Sequence, residues 1–241
     1  MQLYYIRHAQ SENNLLWELT GSGDSRKVDP DLTDLGQQQS LYLAQFLRAE
    51  GLDTYSRNPD VQNVTGFGIT HLYCSLMLRA VQTGAAIARA LDLSLTGWRD
   101  LHETGGMFLQ DPETGEYLGQ PGQSRAFFAA HYPELTLPET VTEDGWWNRP
   151  FEELEERPAR AQRVLSTLLA RHGESDDRVA LISHGGFFYH LLHAIFDWPA
   201  RERQWFYMNN VAITRIDFTP DRTQLMYLNR LDFLPRTLVS R

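Results

Sequence analysis

Short apolar runs alternate with stretches whose apolar residues recur at helical spacing, and this alternation limits the possible folds more than any other feature. The apolar runs predict strands at 3–6, 69–75, 178–183, 211–218 and 225–228. The helical spacing predicts helices at about 32–50, 78–91, 124–131, 151–172 and 186–196. Strands that alternate with helices favour a mixed, mostly parallel sheet with helices on both faces. The predicted fold class is therefore a three-layer α/β sandwich.

Two stretches depart from this alternation. Residues 51–69 are rich in turn-forming residues and predict a long connection. Residues 104–150 hold most of the remaining loop signals, and we expect an insertion that covers the substrate. Its aromatic residues could serve either the core or the substrate: Phe108, Trp146 and Trp147. Because no repeat or low-complexity linker divides the chain, we expect residues 1–241 to form one domain.

Composition excludes several classes of protein. The chain has 241 residues, of which 42% are hydrophobic, which is typical of a globular protein and not of a disordered one. Its net charge of −9 lacks the basic footprint of a nucleic-acid binder. No apolar stretch approaches the ~20 residues of a membrane helix, and the first residues do not resemble a signal peptide. The single cysteine, Cys74, fits a reducing compartment, so we expect a cytoplasmic protein without nucleic-acid or membrane partners.

Polar residues directly follow three of the predicted strands. Arg7 and His8 follow the first strand, Arg79 lies shortly after the second, and His184 follows the strand at 178–183. Open α/β sheets bind ligands beyond the carboxyl ends of their strands, so we expect these side chains to meet there. The charge gathered in this way is positive on an otherwise acidic protein. It indicates an anionic ligand such as phosphate.

Five ordered segments carry a family resemblance: Tyr5–Asn14, Asp31–Gln39, Ser75–Thr83, Leu101–Glu103 and Ser183–Gly186. They resemble, in the same order, the motifs of the histidine phosphatase superfamily, also called the phosphoglycerate mutase-like family. The resemblance implies the phosphoglycerate mutase-like version of the three-layer sandwich. Ala9 departs from the pattern, because many members have glycine at this position.

The resemblance also implies catalytic roles. His8 would be the nucleophile and would carry the phosphoryl group as a phosphohistidine. Arg7, Arg79 and His184 would surround the phosphoryl oxygens and neutralise their charge as the ester bond breaks. Glu103 would protonate the leaving oxygen and then deprotonate the attacking water. The family needs no metal, so we expect neither a metal nor another cofactor.

Asn14 and Gly185 complete the implied substrate-binding set. Asn14 matches a position whose side chain hydrogen-bonds a phosphoryl oxygen, but it could instead cap the helix that contains Trp17. Glu103 likewise has competitors for the acid role in nearby glutamates such as Glu12 and Glu113.

Two other phosphatase chemistries fit the sequence poorly. Cysteine-dependent phosphatases need five residues between Cys and Arg, whereas four separate Cys74 from Arg79, and none of these is a glycine that could shape a phosphate-binding loop. For a metal-dependent enzyme, His184 lacks a partner at ligand spacing, and we expect no cluster of His, Cys and carboxylate side chains.

The predicted function is a metal-independent phosphomonoester hydrolase that acts on a small phosphorylated substrate, with a phosphoprotein as an open alternative. A bisphosphoglycerate-dependent phosphoglycerate mutase and a non-catalytic member that binds a phosphorylated ligand are the runners-up. The family's mutases have an Arg-His-Tyr-Gly run after the acid, but here no Arg or Lys follows Glu103 until Arg125. A mutase would need a basic side chain to fold back over the site, and the candidates are Arg26, Lys27, Arg99 and Arg125. The sequence specifies neither the substrate nor the oligomeric state.

Overall fold

A computed structural model describes residues 1–52, 59–199 and 205–241. The strands are β1 (Gln2–Arg7), β2 (His71–Cys74), β3 (Leu95–Gly97), β4 (Phe108–Gln110), β5 (Tyr117–Gly119), β6 (Leu135–Thr136), β7 (Arg178–Ser183), β8 (Ile213–Phe218) and β9 (Thr223–Arg230). The α-helices are α1 (Glu12–Thr20), α2 (Asp34–Arg48), α3 (Leu78–Leu91), α4 (Arg125–His131), α5 (Arg157–His172) and α6 (Gly185–Phe196). None of the helices in these ranges is long and apolar enough to cross a membrane.

Seven strands form one mixed sheet in the order β6-β3-β2-β7-β1-β8-β9. The first five strands of this order run parallel, and β8 pairs antiparallel with β1 and β9. In the register of β1 against β7, Arg7 lies opposite Ser183. The two strands therefore end side by side, which confirms the predicted mostly parallel sheet and places the residues that follow these strands together.

Helices cover both faces of this sheet. Successive side chains of a strand point to opposite faces, and β1 shows this clearly. Its Tyr4 and Ile6 pack in one buried cluster with residues of α2 and α3, whereas Leu3 and Tyr5 pack in a second cluster with residues of α5 and α6. The three-layer α/β prediction is confirmed.

Element boundaries follow local capping chemistry. Thr33 accepts a hydrogen bond from the Gly36 N–H at 3.0 Å and caps α2. The helix predicted from residue 151 begins only at Arg157, because Pro158 has no N–H and fits the first turn of a helix. The predicted start at residue 151 is therefore too early. Of the connection predicted at 51–69, residues 53–58 lie outside the described residues.

The segment 104–150 forms the β4–β5 hairpin, α4 and the edge strand β6. Trp146 and Trp147 are buried with 1% and 0% of their surface exposed, so they serve the core. Gly106, at φ 77°, lies so close to the Trp147 ring that a Cβ atom would overlap it. Phe108 instead lines the cleft described below.

Candidate active site

The ends of β2, β7 and β1 bring the predicted site residues together. The His8 N–H donates to the Ser183 carbonyl at 2.9 Å, and the Ser75 N–H donates to the Ile182 carbonyl at 2.9 Å. The His8 and His184 ring centroids lie 5.0 Å apart. The site is thus built on the sheet, whose backbone hydrogen bonds fix the distance between the two imidazoles.

Two contacts define the protonation of the His8 ring. His8 Nδ1 lies 2.7 Å from the Ala9 carbonyl oxygen, which can only accept, so Nδ1 carries the hydrogen. Arg79 Nε lies 3.1 Å from His8 Nε2 and can only donate, so Nε2 presents its lone pair. His8 is therefore a neutral imidazole whose lone pair is at Nε2.

The surroundings of His8 favour the same state. Burial, together with the nearby charges of Arg79 and Arg7, holds the pKa of His8 well below its usual range. The pKa of His184 is lowered well below its usual value by burial and by Arg79. Both imidazoles are neutral at pH 7, and a neutral imidazole is what a nucleophilic histidine requires.

The two arginines border these rings. Arg79 is buried, and burial lowers its pKa to about 10, which leaves the guanidinium charged at pH 7. Arg7 donates through Nη1 to the Met208 carbonyl. Among the described residues, buried Arg7 Nε and His184 Nδ1 have no hydrogen-bond partner. Buried polar atoms are normally paired. Arg7 Nε is therefore available to an anionic ligand, and so is His184 Nδ1 in the tautomer in which Nε2 accepts from the Ser75 hydroxyl.

Glu103 lies at the amino end of α6. Its Oε1 accepts from the Thr104 and Phe187 N–H groups at 2.8 and 2.9 Å, and its Oε2 accepts from the Gly186 N–H at 3.1 Å. A Cβ atom on Gly186 would lie only 2.5 Å from Glu103 Oε1. The close approach of this carboxylate thus depends on a glycine in the first turn of α6.

Asn14 lies in the first turn of α1. Ser11 is the cap, and Asn14 Oδ1 accepts from the Ser11 N–H at 3.0 Å in a reciprocal capping box. The N-cap residue is therefore Ser11 and not Asn14, but the Asn14 side chain takes part in the capping box, as the capping interpretation expected. Asn14 lines the cleft together with Gly185.

Several contributors to the site carry no sequence signal that we recognised. Asn210 Nδ2 donates to the His8 carbonyl at 3.0 Å and to Asn14 Oδ1 at 3.3 Å. The next residue, Val211, has φ 58°, a strained conformation for a β-branched residue, and its N–H donates to the Arg7 carbonyl at 3.1 Å. This turn fixes the backbone at His8.

Asp29 is a further carboxyl beside the site. Its Oδ1 accepts from the Leu78 N–H at 2.9 Å at the start of α3, and its buried Oδ2 has no partner among the described residues. Burial raises the pKa of Asp29 to about 7, although the charge of Arg79 opposes this shift. Asp29 therefore accepts a hydrogen bond from a free N–H group at the start of α3. The N-cap residue, Met77, has no side-chain acceptor for such a group.

A cleft of about 1080 Å³ opens beside Arg7 and Arg79, and neither His8 nor His184 is among its lining residues. It is lined by Arg7, Asn14, Arg79, Glu103 and Gly185 from the predicted set, and also by Arg26 and Phe108.

Of the four basic residues considered for a mutase, only Arg26 lines this cleft. Lys27 pairs with Glu12 at 2.6 Å, while Arg99 and Arg125 donate to backbone carbonyls. Although no basic residue follows Glu103 closely in the sequence, Arg26 supplies the cleft with a further cation.

One grouping of side chains was not expected. His71, His172 and Asp177 have ligand atoms within 4.8 Å of one another, so the expectation of no such cluster is wrong. This group of three side chains lies at the amino ends of β2 and β7, whereas His8 lies at the carboxyl ends of the parallel strands. Both ring nitrogens of His172 already have partners, Asp177 Oδ2 at 2.8 Å and the Tyr73 hydroxyl at 3.0 Å.

Known proteins resemble this chain over most of its length. The model of the family described as “Histidine phosphatase superfamily (branch 1)” matches residues 61–231. The “Putative phosphoserine phosphatase 2” of Hydrogenobacter thermophilus is 25% identical over 238 residues, which cover 95% of this chain and 96% of that one. The “Probable phosphoglycerate mutase GpmB” of Proteus mirabilis is 25% identical over 218 residues, covering 90% and 85%. The structure of a mycobacterial glucosyl-3-phosphoglycerate phosphatase with VO3 has the same fold, with a TM-score of 0.57 at 19% identity over 95% of this chain and 99% of that one.

Proposed function

The chain belongs to the histidine phosphatase superfamily, and from that premise we propose that it is a metal-independent phosphomonoester hydrolase that works through a phosphohistidine on His8. The observation that carries the proposal is the His8 ring. Its Nδ1–H is fixed on the Ala9 carbonyl, and its Nε2 lone pair is held beside the Arg79 guanidinium. The relative named as a phosphoserine phosphatase supports the same activity.

In the first half-reaction, His8 Nε2 attacks phosphorus, and the Nε2–P bond forms as the ester P–O bond breaks. Arg79 Nε, which donates to that lone pair in the free enzyme, turns to a phosphoryl oxygen. Phosphoryl oxygens also satisfy the unpartnered Arg7 Nε and His184 Nδ1. Glu103, which enters this step protonated, gives its proton to the leaving oxygen, so the product leaves as a neutral alcohol and Glu103 becomes a carboxylate.

In the second half-reaction, water attacks the phosphohistidine. The Glu103 carboxylate takes a proton from the water as the new P–O bond forms and the Nε2–P bond breaks. His8 recovers its Nε2 lone pair, and inorganic phosphate leaves. Throughout the cycle the Nδ1–H stays on the Ala9 carbonyl, which stabilises the positive ring of the intermediate.

The positive charge needed by the transition state comes from side chains in this scheme. Arg7 and Arg79 neutralise the phosphoryl oxygens, so we propose that neither a metal nor another cofactor takes part. The net charge of −9 favours a small phosphorylated substrate over a nucleic acid. The free cysteine, Cys74, supports a cytoplasmic location.

The test is rapid quench with p-nitrophenyl phosphate that carries labelled phosphorus. The wild-type protein should release phosphate and yield a labelled protein adduct that is labile in acid and stable in base. His8→Ala should form no adduct and lose turnover, whereas a substitution of the exposed His131 on α4 should change neither. Near-native turnover of His8→Ala would refute the mechanism.

Phosphoglycerate mutase is a second candidate activity, because Arg26 supplies the cleft with a cation that could retain an organic acid between two phosphoryl transfers. A coupled assay with 3-phosphoglycerate, primed with 2,3-bisphosphoglycerate, separates the two activities. A hydrolase releases inorganic phosphate faster than it forms 2-phosphoglycerate. The opposite order assigns a mutase and excludes the hydrolase.

A further inference from the structure

Besides Arg7, Arg79 and the exposed Arg241, the cleft is lined by Arg26, a partly buried cation that no carboxylate of the described residues contacts. The structure gives its guanidinium no hydrogen bond and no ion pair with any of the described residues. Its guanidinium lies over the Phe108 ring, whose centroid is 4.1 Å from Arg26 Cζ. A cation over an aromatic face is attracted to the ring, and the N–H donors of its outer edge stay available.

The position of Arg26 is separate from that of the phosphoryl-binding arginines. Arg7 and Arg79 follow strands of the central sheet, whereas Arg26 comes from the connection between α1 and α2 and lies against β4 of the 104–150 segment. Arg26 nevertheless lines the same cleft as Arg7, Arg79 and Glu103, and the charge of Glu103 raises its pKa. A ligand held at His8 can therefore extend towards Arg26.

A partly desolvated guanidinium without a counter-ion is energetically unfavourable, which indicates that Arg26 binds a ligand. Burial lowers the pKa of Arg26, which shows that part of its hydration is lost without a carboxylate in contact to replace it. An unpaired, partly desolvated guanidinium is stabilised by a planar anion that accepts two hydrogen bonds. Its neighbour Lys27 has such a partner in Glu12, so the chain pairs one of these two adjacent cations and leaves the other open to the cleft.

We propose that Arg26 binds a second anionic group, a carboxylate or a phosphate, on the organic part of the substrate while His8 takes the phosphoryl group. This inference rests on the proposed phosphomonoester hydrolase activity. It narrows the substrate to phosphomonoesters that carry a second negative charge, and it makes Arg26 a specificity-determining residue. Phe108 is the platform that orients the guanidinium.

The test compares kcat/KM for matched pairs of substrates that differ in this second charge. The pair 3-phosphoglycerate and glycerol 3-phosphate tests a carboxylate, and the pair glucose 1,6-bisphosphate and glucose 6-phosphate tests a phosphate. We expect the wild type to prefer the doubly anionic member of at least one pair by about ten-fold to a hundred-fold, the range of one charged hydrogen-bonded contact. The pair that responds identifies the anion.

Variants connect that preference to one side chain. Arg26→Ala should reduce the preference to within about two-fold while kcat/KM for the singly anionic member stays nearly constant, and Arg26→Lys should keep part of it. Lys27→Ala, which removes an adjacent charge outside the cleft, should leave the preference unchanged. A wild type without a preference in either pair, or an equal loss for both members in Arg26→Ala, overturns the inference and leaves the hydrolase proposal intact. If no phosphomonoester is turned over, the hydrolase proposal itself fails.

Discussion

Two adjacent glycines at the start of α6 offer a sharp test of the role of Glu103. An added Cβ on Gly186 would lie 2.5 Å from Glu103 Oε1 and 2.7 Å from Thr104 Oγ1. A Cβ on Gly185 would meet no atom nearer than Arg7 Nε at 3.6 Å, which is ordinary contact. Gly186→Ala therefore displaces the Glu103 carboxylate, and Gly185→Ala is its matched control.

The magnitude follows from the geometry. Ordinary contact begins at 3.4 Å, so the carboxylate must move by about 0.9 Å in Gly186→Ala. A displacement of about 1 Å in a catalytic group can lower the rate by about a hundred-fold. We expect Gly186→Ala to lower kcat/KM by about ten-fold to a hundred-fold, and Gly185→Ala to stay within about three-fold of the wild type.

The assay should compare leaving groups. An alkyl phosphate needs a proton on its leaving oxygen, whereas p-nitrophenolate leaves without one. The loss in Gly186→Ala should therefore be larger for an alkyl phosphate than for p-nitrophenyl phosphate. Both variants should fold, because the atoms that must yield are side-chain ends beside an open cleft, and thermal melts check this. Equal losses for the two substrates in Gly186→Ala would refute the role of Glu103 as the acid.

Three further predictions follow from the burial of the site. Arg79→Lys should lose about a hundred-fold in kcat/KM with little change in Tm, because an ammonium cannot donate two parallel hydrogen bonds to a phosphoryl group; a mild kinetic loss with a large fall in Tm would contradict this. His8, His102 and His184 have pKa values well below 6.5 through burial, so the unfolded chain takes up protons that the folded chain does not as the pH falls below 6.5. Urea titrations at pH 7.5 and 5.5 should show a lower free energy of unfolding at pH 5.5, by up to about 1.4 kcal/mol per pH unit for each histidine. Asp29 partly offsets this loss, because its pKa is raised to about 7 and the folded chain takes up a proton there that the unfolded chain does not. A free energy of unfolding that is higher at pH 5.5 would exclude neutral burial of the three histidines. Activity should survive thiol reagents, because Cys74 is fully buried and burial raises its pKa; complete inactivation on modification of Cys74 would contradict this.

Sequence reasoning succeeds where local chemistry and sheet topology coincide. The apolar run before Arg7 and the one before His184 each predict a strand, and parallel neighbours must end at the same edge of the sheet. The positions of those two residues next to each other then follow without further information. The α3 helix is also predicted with its observed bounds, because its apolar residues recur at helical spacing between a strand and Asp92.

The strands and site residues that the sequence does not predict depend on contacts between residues that are far apart in the chain. Strands β3 and β6 have three and two residues, which is too short for a period of two to be recognised. Asn210 supports the His8 backbone from 202 residues away, and no spacing in the sequence indicates that contact. Only the path of the chain after α6 brings Asn210 to the end of β1.

Arg26 shows why the walls of a site are harder to derive than its floor. The floor is formed by strand ends, whose order in space is limited by the sheet. The walls are formed by connections, and here the cation comes from the α1–α2 connection while its aromatic platform comes from β4. The residues directly after Glu103 belong to only one of these connections, the one that contains β4. The absence of arginine in that run therefore decides nothing about the second charge in the cleft. In the proposed mechanism, a hydrolase differs from a mutase in whether water reaches the phosphohistidine before Arg26 releases the dephosphorylated product.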